Sequence, residues 1–167
     1  MDSRVPRWMT FSLLALGLLF VGCKAAMTPL DPQEQIPDWS VYRNGAIGFY
    51  FQYPPILELE EDDRELDGTQ VTVLYPGMAS VVFRVDVQGA TAESALRAKV
   101  IPGTEEACRV GGESGTRFQI PGREGKPETR TLVKREGWIF VFQGEGKTFK
   151  EILGAFHFGT PPPLPKE

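Results

Sequence analysis

The stretch "VFQGEGKTFKEI", Val141 to Ile152, admits two readings that lead to different folds. An apolar run, then glycines, Lys147-Thr148 and a helical pattern is the order of a phosphate-binding loop, which belongs to parallel-sheet nucleotide-binding proteins. That loop needs G-x-x-x-x-G-K-[ST], because its first glycine starts the turn that aims backbone N–H groups at phosphate oxygens. Counted back from Gly146-Lys147-Thr148, the first glycine belongs at position 141, and Val141 stands there. The stretch is therefore a strand turning into a helix, and no nucleotide partner is expected. Thr148 and Glu151 have capping-box spacing, and Gly144 and Gly146 supply the turn. Phe149, Ile152, Leu153 and Phe156 fall at i, i+3, i+4 and i+7, an apolar stripe.

Upstream of this element the chain is punctuated like a sheet. Strands are expected over Ile47–Tyr53, Ile56–Leu59, Gln70–Tyr75, Ser80–Val87, Gly115–Ile120, Glu128–Arg135 and Gly137–Gln143, runs rich in Val, Phe, Tyr and Thr. In "SVVFRVDV" (Ser80–Val87) the residues Val81, Phe83, Val85 and Val87 alternate with Arg84 and Asp86, as on a strand with one wet face. "REG" (Arg135–Gly137) reads as a tight hairpin connection. One more helix is expected at "TAESALRAKV", with Thr91 as N-cap and Ala92, Leu96 and Val100 on one face. There is no internal repeat.

The N-terminus says where the chain goes. Arg4 and Arg7 precede "WMTFSLLALGLLFVG" (Trp8–Gly22), which has the length and flanks of a signal h-region rather than of a membrane span. "FVGC" (Phe20–Cys23) resembles the bacterial lipoprotein signal motif, with Phe20 in the place usually held by Leu. The resemblance implies cleavage before Cys23 and lipidation of its thiol, hence a membrane partner reached through acyl chains. Lys24, where an Asp resembles an inner-membrane retention signal, leans toward the outer membrane. The expected location is the cell envelope, on the outer face of the inner membrane or the periplasmic side of the outer membrane. The expected layout is a leader at 1–22, the lipidated cysteine and a flexible tether at 23–39, a folded domain at 40–158 and a Pro-rich tail at 159–167. The tether carries three prolines and no apolar period. Trp39, Tyr42, Tyr53 and Trp138 are aromatics that could line a pocket or groove, with core packing the plainer reading for each, and Trp39, at the tether's end, is the one least expected to be buried.

Composition narrows the chemistry. The 167 residues, 41% hydrophobic, suit a single globular domain, and the formal net charge of −4 moves to about −5 once Arg4, Arg7 and Asp2 leave with the leader. An acidic chain is not built for nucleic acid. With Cys23 lipidated, Cys108 has no intrachain partner and reads as a buried, inert thiol. The acidic run "ELEEDDRELDGT" (Glu58–Thr69) places Asp63, Glu65, Asp67 and Gly68 at calcium-loop positions 1, 3, 5 and 6, but position 12 is Leu74 instead of a bidentate Glu. Asp63, Glu65 and Asp67 remain as candidates for a looser cation site; the plainer reading is a solvated acidic turn. His157 is the only histidine. Catalysis by His157 or Cys108 lacks a nucleophile motif such as G-x-S-x-G. "RVGGESGTRF" (Arg109–Phe118) reads as a β-turn or bulge sooner than a binding loop. No catalytic residue and no cofactor are expected.

With these elements placed, the chain resembles the PsbP-like (PsbP/Mog-type) family of α/β sandwiches. The residues that carry the resemblance are "VYRNGAIGFYFQYP" (Val41–Pro54), a Tyr and a short turn before Gly-Phe-x-Phe-x-Tyr-Pro, and "FKEILGAFHF" (Phe149–Phe158), a closing helix that runs into an aromatic pair. "VGGESGTRFQI" in the middle is similar to the family's Gly-containing strand entry. The resemblance implies an α+β fold, an antiparallel sheet with two or three helices packed on it as an α/β/α sandwich. It also implies a non-catalytic extrinsic subunit or partner-binding protein. The expected function is thus a membrane-anchored accessory protein with a protein partner in the envelope. The rivals are a small-ligand or calcium-binding envelope protein and, behind it, an enzyme using Cys108 or His157.

Overall fold

Alternation along one strand organises the molecule. In the computed structural model, which describes residues 36, 38–64, 68–122 and 125–160, the stretch at Ser80–Val87 forms β5 (Val81–Gly89), near the middle of a seven-stranded antiparallel sheet. Its neighbours on one side are β4 (Gly68–Leu74) and β3 (Glu58–Arg64). On the other side lie β9 (Trp138–Gln143), β8 (Pro127–Arg135), β7 (Glu113–Pro121) and β6 (Glu106–Val110), giving the order β3-β4-β5-β9-β8-β7-β6. A register irregularity at Val73/Leu74 turns Val82, rather than Val81, into the core beside Phe83, Val85 and Val87.

The inner face of this sheet is covered by a second, three-stranded sheet and a helix. β1 (Ser40–Asn44), β2 (Phe49–Tyr53) and β10 (Phe156–Phe158) pair in the order β1-β2-β10, and α2 (Gly146–Gly154) packs beside them. Phe156, fully buried, holds the layers together. Its ring lies 5.4 Å from that of Phe49 and 6.0 Å from Phe51 in its own sheet, and 4.8 Å from Phe142 and 6.3 Å from Phe140 across the interface. The contacts to the large sheet are edge-to-face, the arrangement that opposed ring quadrupoles favour.

The outer face follows from register, because cross-strand partners share a face. One row runs Glu60, Thr72, Arg84, Gln143, Arg130, Phe118, and the next Asp62, Gln70, Asp86, Val141, Leu132, Thr116. The face is thus polar over β3-β4-β5 and, apart from Gln143, Arg130 and Thr116, apolar over β9-β8-β7. Only the apolar half is covered: Leu96 of α1 (Glu93–Arg97) and Val100 pack on Phe118, Leu132, Ile139 and Val141.

Several expectations are corrected. The fold is mostly strand, with two short helices among the described residues, so a small sheet replaces one helical layer of the expected α/β/α sandwich and α1 makes only a fragment of the other. The closing helix stops at Gly154, and Phe156 does not continue its stripe: Phe156 and Phe158 pair with β2 instead. There is no capping box. Glu145 is the N-cap without a side-chain hydrogen bond, because the helix begins two residues ahead of Thr148, and Glu151 turns to Lys147 at 3.5 Å. Thr91 likewise caps nothing: a 3-10 turn at Ala90–Ala92 precedes α1. The acidic run over Glu58–Arg64 is an edge strand and not a turn. An edge tolerates such charge, which also discourages pairing with other chains. Trp39 packs against the core, and the Ile36 N–H donates to Gln52 Oε1 at 2.7 Å, so residues near the end of the expected tether are docked.

The two hairpin connections behave as read. Glu136 and Gly137 (φ 50° and 82°) link β8 to β9. Gly111 and Gly112 (φ 56° and 85°) link β6 to β7 as a primed turn, whose twist matches that of the strands. Gly144 is glycine for space: a Cβ there would stand 2.4 Å from the Phe149 ring and 2.5 Å from the Val82 carbonyl. Phosphate binding has no part in it.

Removing the ring of Phe156 leaves a cavity between two sheets that are fixed by their own hydrogen bonds. Phe156→Ala is expected to lower the unfolding free energy by about 3–5 kcal/mol, read from the urea midpoint.

Candidate functional site

Two surfaces concentrate polar side chains. The first is the cleft where β1 crosses the edge of the large sheet. The Tyr42 hydroxyl donates to Glu61 Oε1 and accepts from Asn44 Nδ2 at 3.4 Å, while Thr69 Oγ1 lies 3.2 Å from Asp63 Oδ1 and 3.4 Å from Glu61 Oε1. Pairing sets this arrangement. Asp63 is the register partner of Thr69 on β4, and Glu61 lies two residues before it on the inward side of β3, facing Tyr42. Beside the network is a groove of about 470 Å³ lined by Asn44, Ile47, Asp63, Thr69 and Trp138. Burial, then the hydrogen bond to Glu61, pushes the Tyr42 phenol well above the ordinary tyrosine range. The cluster keeps its proton and joins the two sheets.

The second surface is the uncovered half of the outer face. Glu60, Asp62, Gln70, Thr72 and Arg84 line a shallow depression there, with Arg84 Nε donating to Thr72 Oγ1 at 3.2 Å. Along the same face Gln88 Nε2 donates to Asp86 Oδ2 at 2.7 Å, and Arg130 pairs with Glu128 at 2.6 Å. Charges of both signs therefore stand side by side on a rigid strand platform.

The remaining candidates are dispersed. Asp63 sits on β3, whereas Glu65, Asp67 and Cys23 lie outside the described residues. Among the described residues, no three His, Cys, Asp or Glu side chains are grouped so as to hold a metal ion. His157 lies on β10, buried, its ring stacked on Tyr50 at 5.0 Å. Cys108 lies on the edge strand β6 over Gly115, half-buried, and burial pushes its thiol up from the ordinary cysteine value. Tyr42 and Trp138 line or flank the cleft, so of the four aromatics that could border a groove these two do. The uncovered face was signalled by Arg84 and Asp86 in the alternating run. That β3 runs on past Leu59 and carries this face beyond β4 could not be read, because the acidic run carried no strand signal there.

No family model matches the chain, and no curated protein matches it. Among solved structures it is similar to the solution structure of cyanobacterial PsbP (CyanoP) from Synechocystis sp. PCC 6803, with 13% identity and a TM-score of 0.47, over 75% of this chain and 95% of that chain.

The Tyr42 phenol makes a pH signature. The native state holds this proton more tightly than the unfolded chain, whose tyrosines lose theirs near pH ~10. Above that pH unfolding releases a proton, so stability falls as pH rises, by at most about 1.4 kcal/mol per unit for one such group. In Tyr42→Phe the fall is expected to be shallower, as measured by urea unfolding at a series of alkaline pH values.

Proposed function

We propose that this chain is a membrane-anchored envelope lipoprotein that acts by binding a protein partner and performs no chemistry of its own. In this reading residues 1–22 are a leader, Cys23 carries the lipid, the residues after it tether the fold that begins near Ser40, and residues 159–167 are a Pro-rich tail. The observation that carries the binding role is the uncovered half of the large sheet. Glu60, Asp62, Arg84 and Asp86 stand there on a shallow, strand-built surface while α1 seals only the apolar half. Mixed charge on a preorganised face suits specific docking more than raw affinity, since the wrong partner meets like charges. The accessory role is what the sequence resemblance implies. Cys108, with a thiol held protonated by burial, is a poor nucleophile.

Two measurements test this. Crosslinking of the acylated protein in its native membranes is expected to capture one dominant envelope complex, and Arg84→Glu, which reverses the positive charge at the centre of the face, is expected to reduce that capture at least about ten-fold. Glu136→Lys, at a hairpin turn on the opposite half, is expected to leave it unchanged. Equal capture by both variants would move the docking surface elsewhere, and no capture above background would overturn the accessory role. For the thiol, Cys108 is expected to react with a disulfide reagent at neutral pH many times more slowly in the native protein than in urea. Rapid native modification would reopen the enzymatic reading.

A further inference from the structure

Among the described residues the exposed large hydrophobic side chains are Ile56, Tyr75 and Met78, at 72%, 43% and 59% of full exposure. They are not scattered. Ile56 lies in the connection from β2 to β3, and Tyr75 and Met78 in the turn from β4 to β5. Glu58 pairs with Leu74, which puts these two loops side by side at one end of the large sheet. Neither loop contains a charge: residues 53–57 read "YPPIL" and residues 75–83 "YPGMASVVF", in a chain that is 24% charged. Charges at this end of the sheet stand on its other half, at Lys126 in the β7–β8 turn and at Glu145 before α2, and the turns of the opposite end carry Glu113, Arg135 and Glu136.

The chain enters the fold beside these two uncharged loops. Ser40 pairs with Tyr53, the residue that leads into the first of these loops, and the Ile36 N–H is held by Gln52. Between Cys23 and Ile36 there are 12 residues, which span at most about 45 Å when fully extended. A lipid on Cys23 thus keeps this end of the fold within a few nanometres of the bilayer, at an effective concentration at which even weak apolar contacts are populated.

We infer that Ile56, Tyr75 and Met78 form a membrane-contact edge, by which the fold settles onto the lipid headgroup region with the β2–β3 and β4–β5 loops down. This rests on the lipid-anchor reading of Cys23. The occupant is a lipid surface, because the three side chains are of kinds that partition into the interface. A tyrosine ring lies at headgroup level, and Ile and Met reach the acyl boundary. The exposed acids at hand, Glu58 and Glu60, make the contact apolar rather than electrostatic, so it needs no anionic lipid. In this pose the strands stand on the membrane, and the polar half-face of β3-β4-β5 is presented sideways to a neighbour in the same membrane.

The test uses the full acylated protein in phosphatidylcholine vesicles, with Cys108→Ser and a single reporter cysteine carrying an environment-sensitive nitrobenzoxadiazole label. Met78→Cys and Ile56→Cys place the label on the inferred edge, and Glu136→Cys places it at the far end. Floating the vesicles establishes anchoring separately, and the mass of the Cys23 peptide establishes acylation. The expected result is flotation of all three proteins, with emission from positions 56 and 78 rising roughly two-fold or more and quenched by spin-labelled lipid. Position 136 should stay as in buffer. Flotation with all labels dark, or with position 136 as bright as the others, would overturn the contact edge while leaving the anchor standing. Labels dark in pure lipid but bright in native membranes would assign the edge to a protein and overturn the lipid contact. An unmodified Cys23 and no flotation would overturn the anchor, and the inference with it.

Discussion

The ring of Phe156 is the contact on which the rest of the molecule depends. A seven-stranded antiparallel sheet with one apolar face cannot remain open to water, and the cover here is small: three short strands and a nine-residue helix. A cover of that size succeeds because its side chains are large. Phe49 and Phe51 from β2 and Phe156 from β10 meet Phe83, Phe140 and Phe142 from the large sheet, all fully or almost fully buried. Each such burial contributes about 1.5–3 kcal/mol. The aromatic density of the core thus compensates for the shortness of the elements that close it.

The same economy of cover shapes the other face. α1 has five residues and, with Val100, reaches across the strands β7, β8 and β9 only. The composition of the strands agrees with that reach: Phe118, Leu132, Ile139 and Val141 lie where the helix is, and Thr72, Arg84 and Asp86 lie where it is not. Local pattern and tertiary cover are consistent, which is the condition for a single native arrangement. A polar half-face that is a rigid platform at no extra conformational cost is then available for recognition, and the binding role proposed above uses it.

Much of the large sheet was legible because its inner strands obey one rule. β5, β8 and β9 carry β-branched and aromatic residues bounded by turn chemistry, and they appear within a residue or two of where that pattern puts them. The elements that escaped are those whose reasons are tertiary. β6 reads Glu-Ala-Cys-Arg-Val and is a strand only because the Gly111-Gly112 turn folds it back on β7. β10 is three residues long and is drawn out of the helical stripe by pairing with β2. β3 is acidic along most of its length, so propensity argued for a turn, and an edge position with Tyr42 facing Glu61 outweighed it. Of the surfaces, the alternation of Arg84 and Asp86 betrayed the wet face. The adjacency of Ile56 to Tyr75 and Met78 depends on the Glu58–Leu74 pairing, which no local pattern encodes.

The pairing of β10 with β2 also sets a timetable. Phe51 and Phe156 are register partners 105 positions apart, and the chain is made, and threaded through any membrane, from its N-terminus. Until residue 156 has emerged, β2 has a partner on one side only and the core lacks its central ring. The residues before Phe156 can form hairpins but cannot close the core. Such long-range closure is slow compared with local pairing. A nascent chain that cannot finish its core early stays threadable until β10 is made, and commits to its compact form only after that.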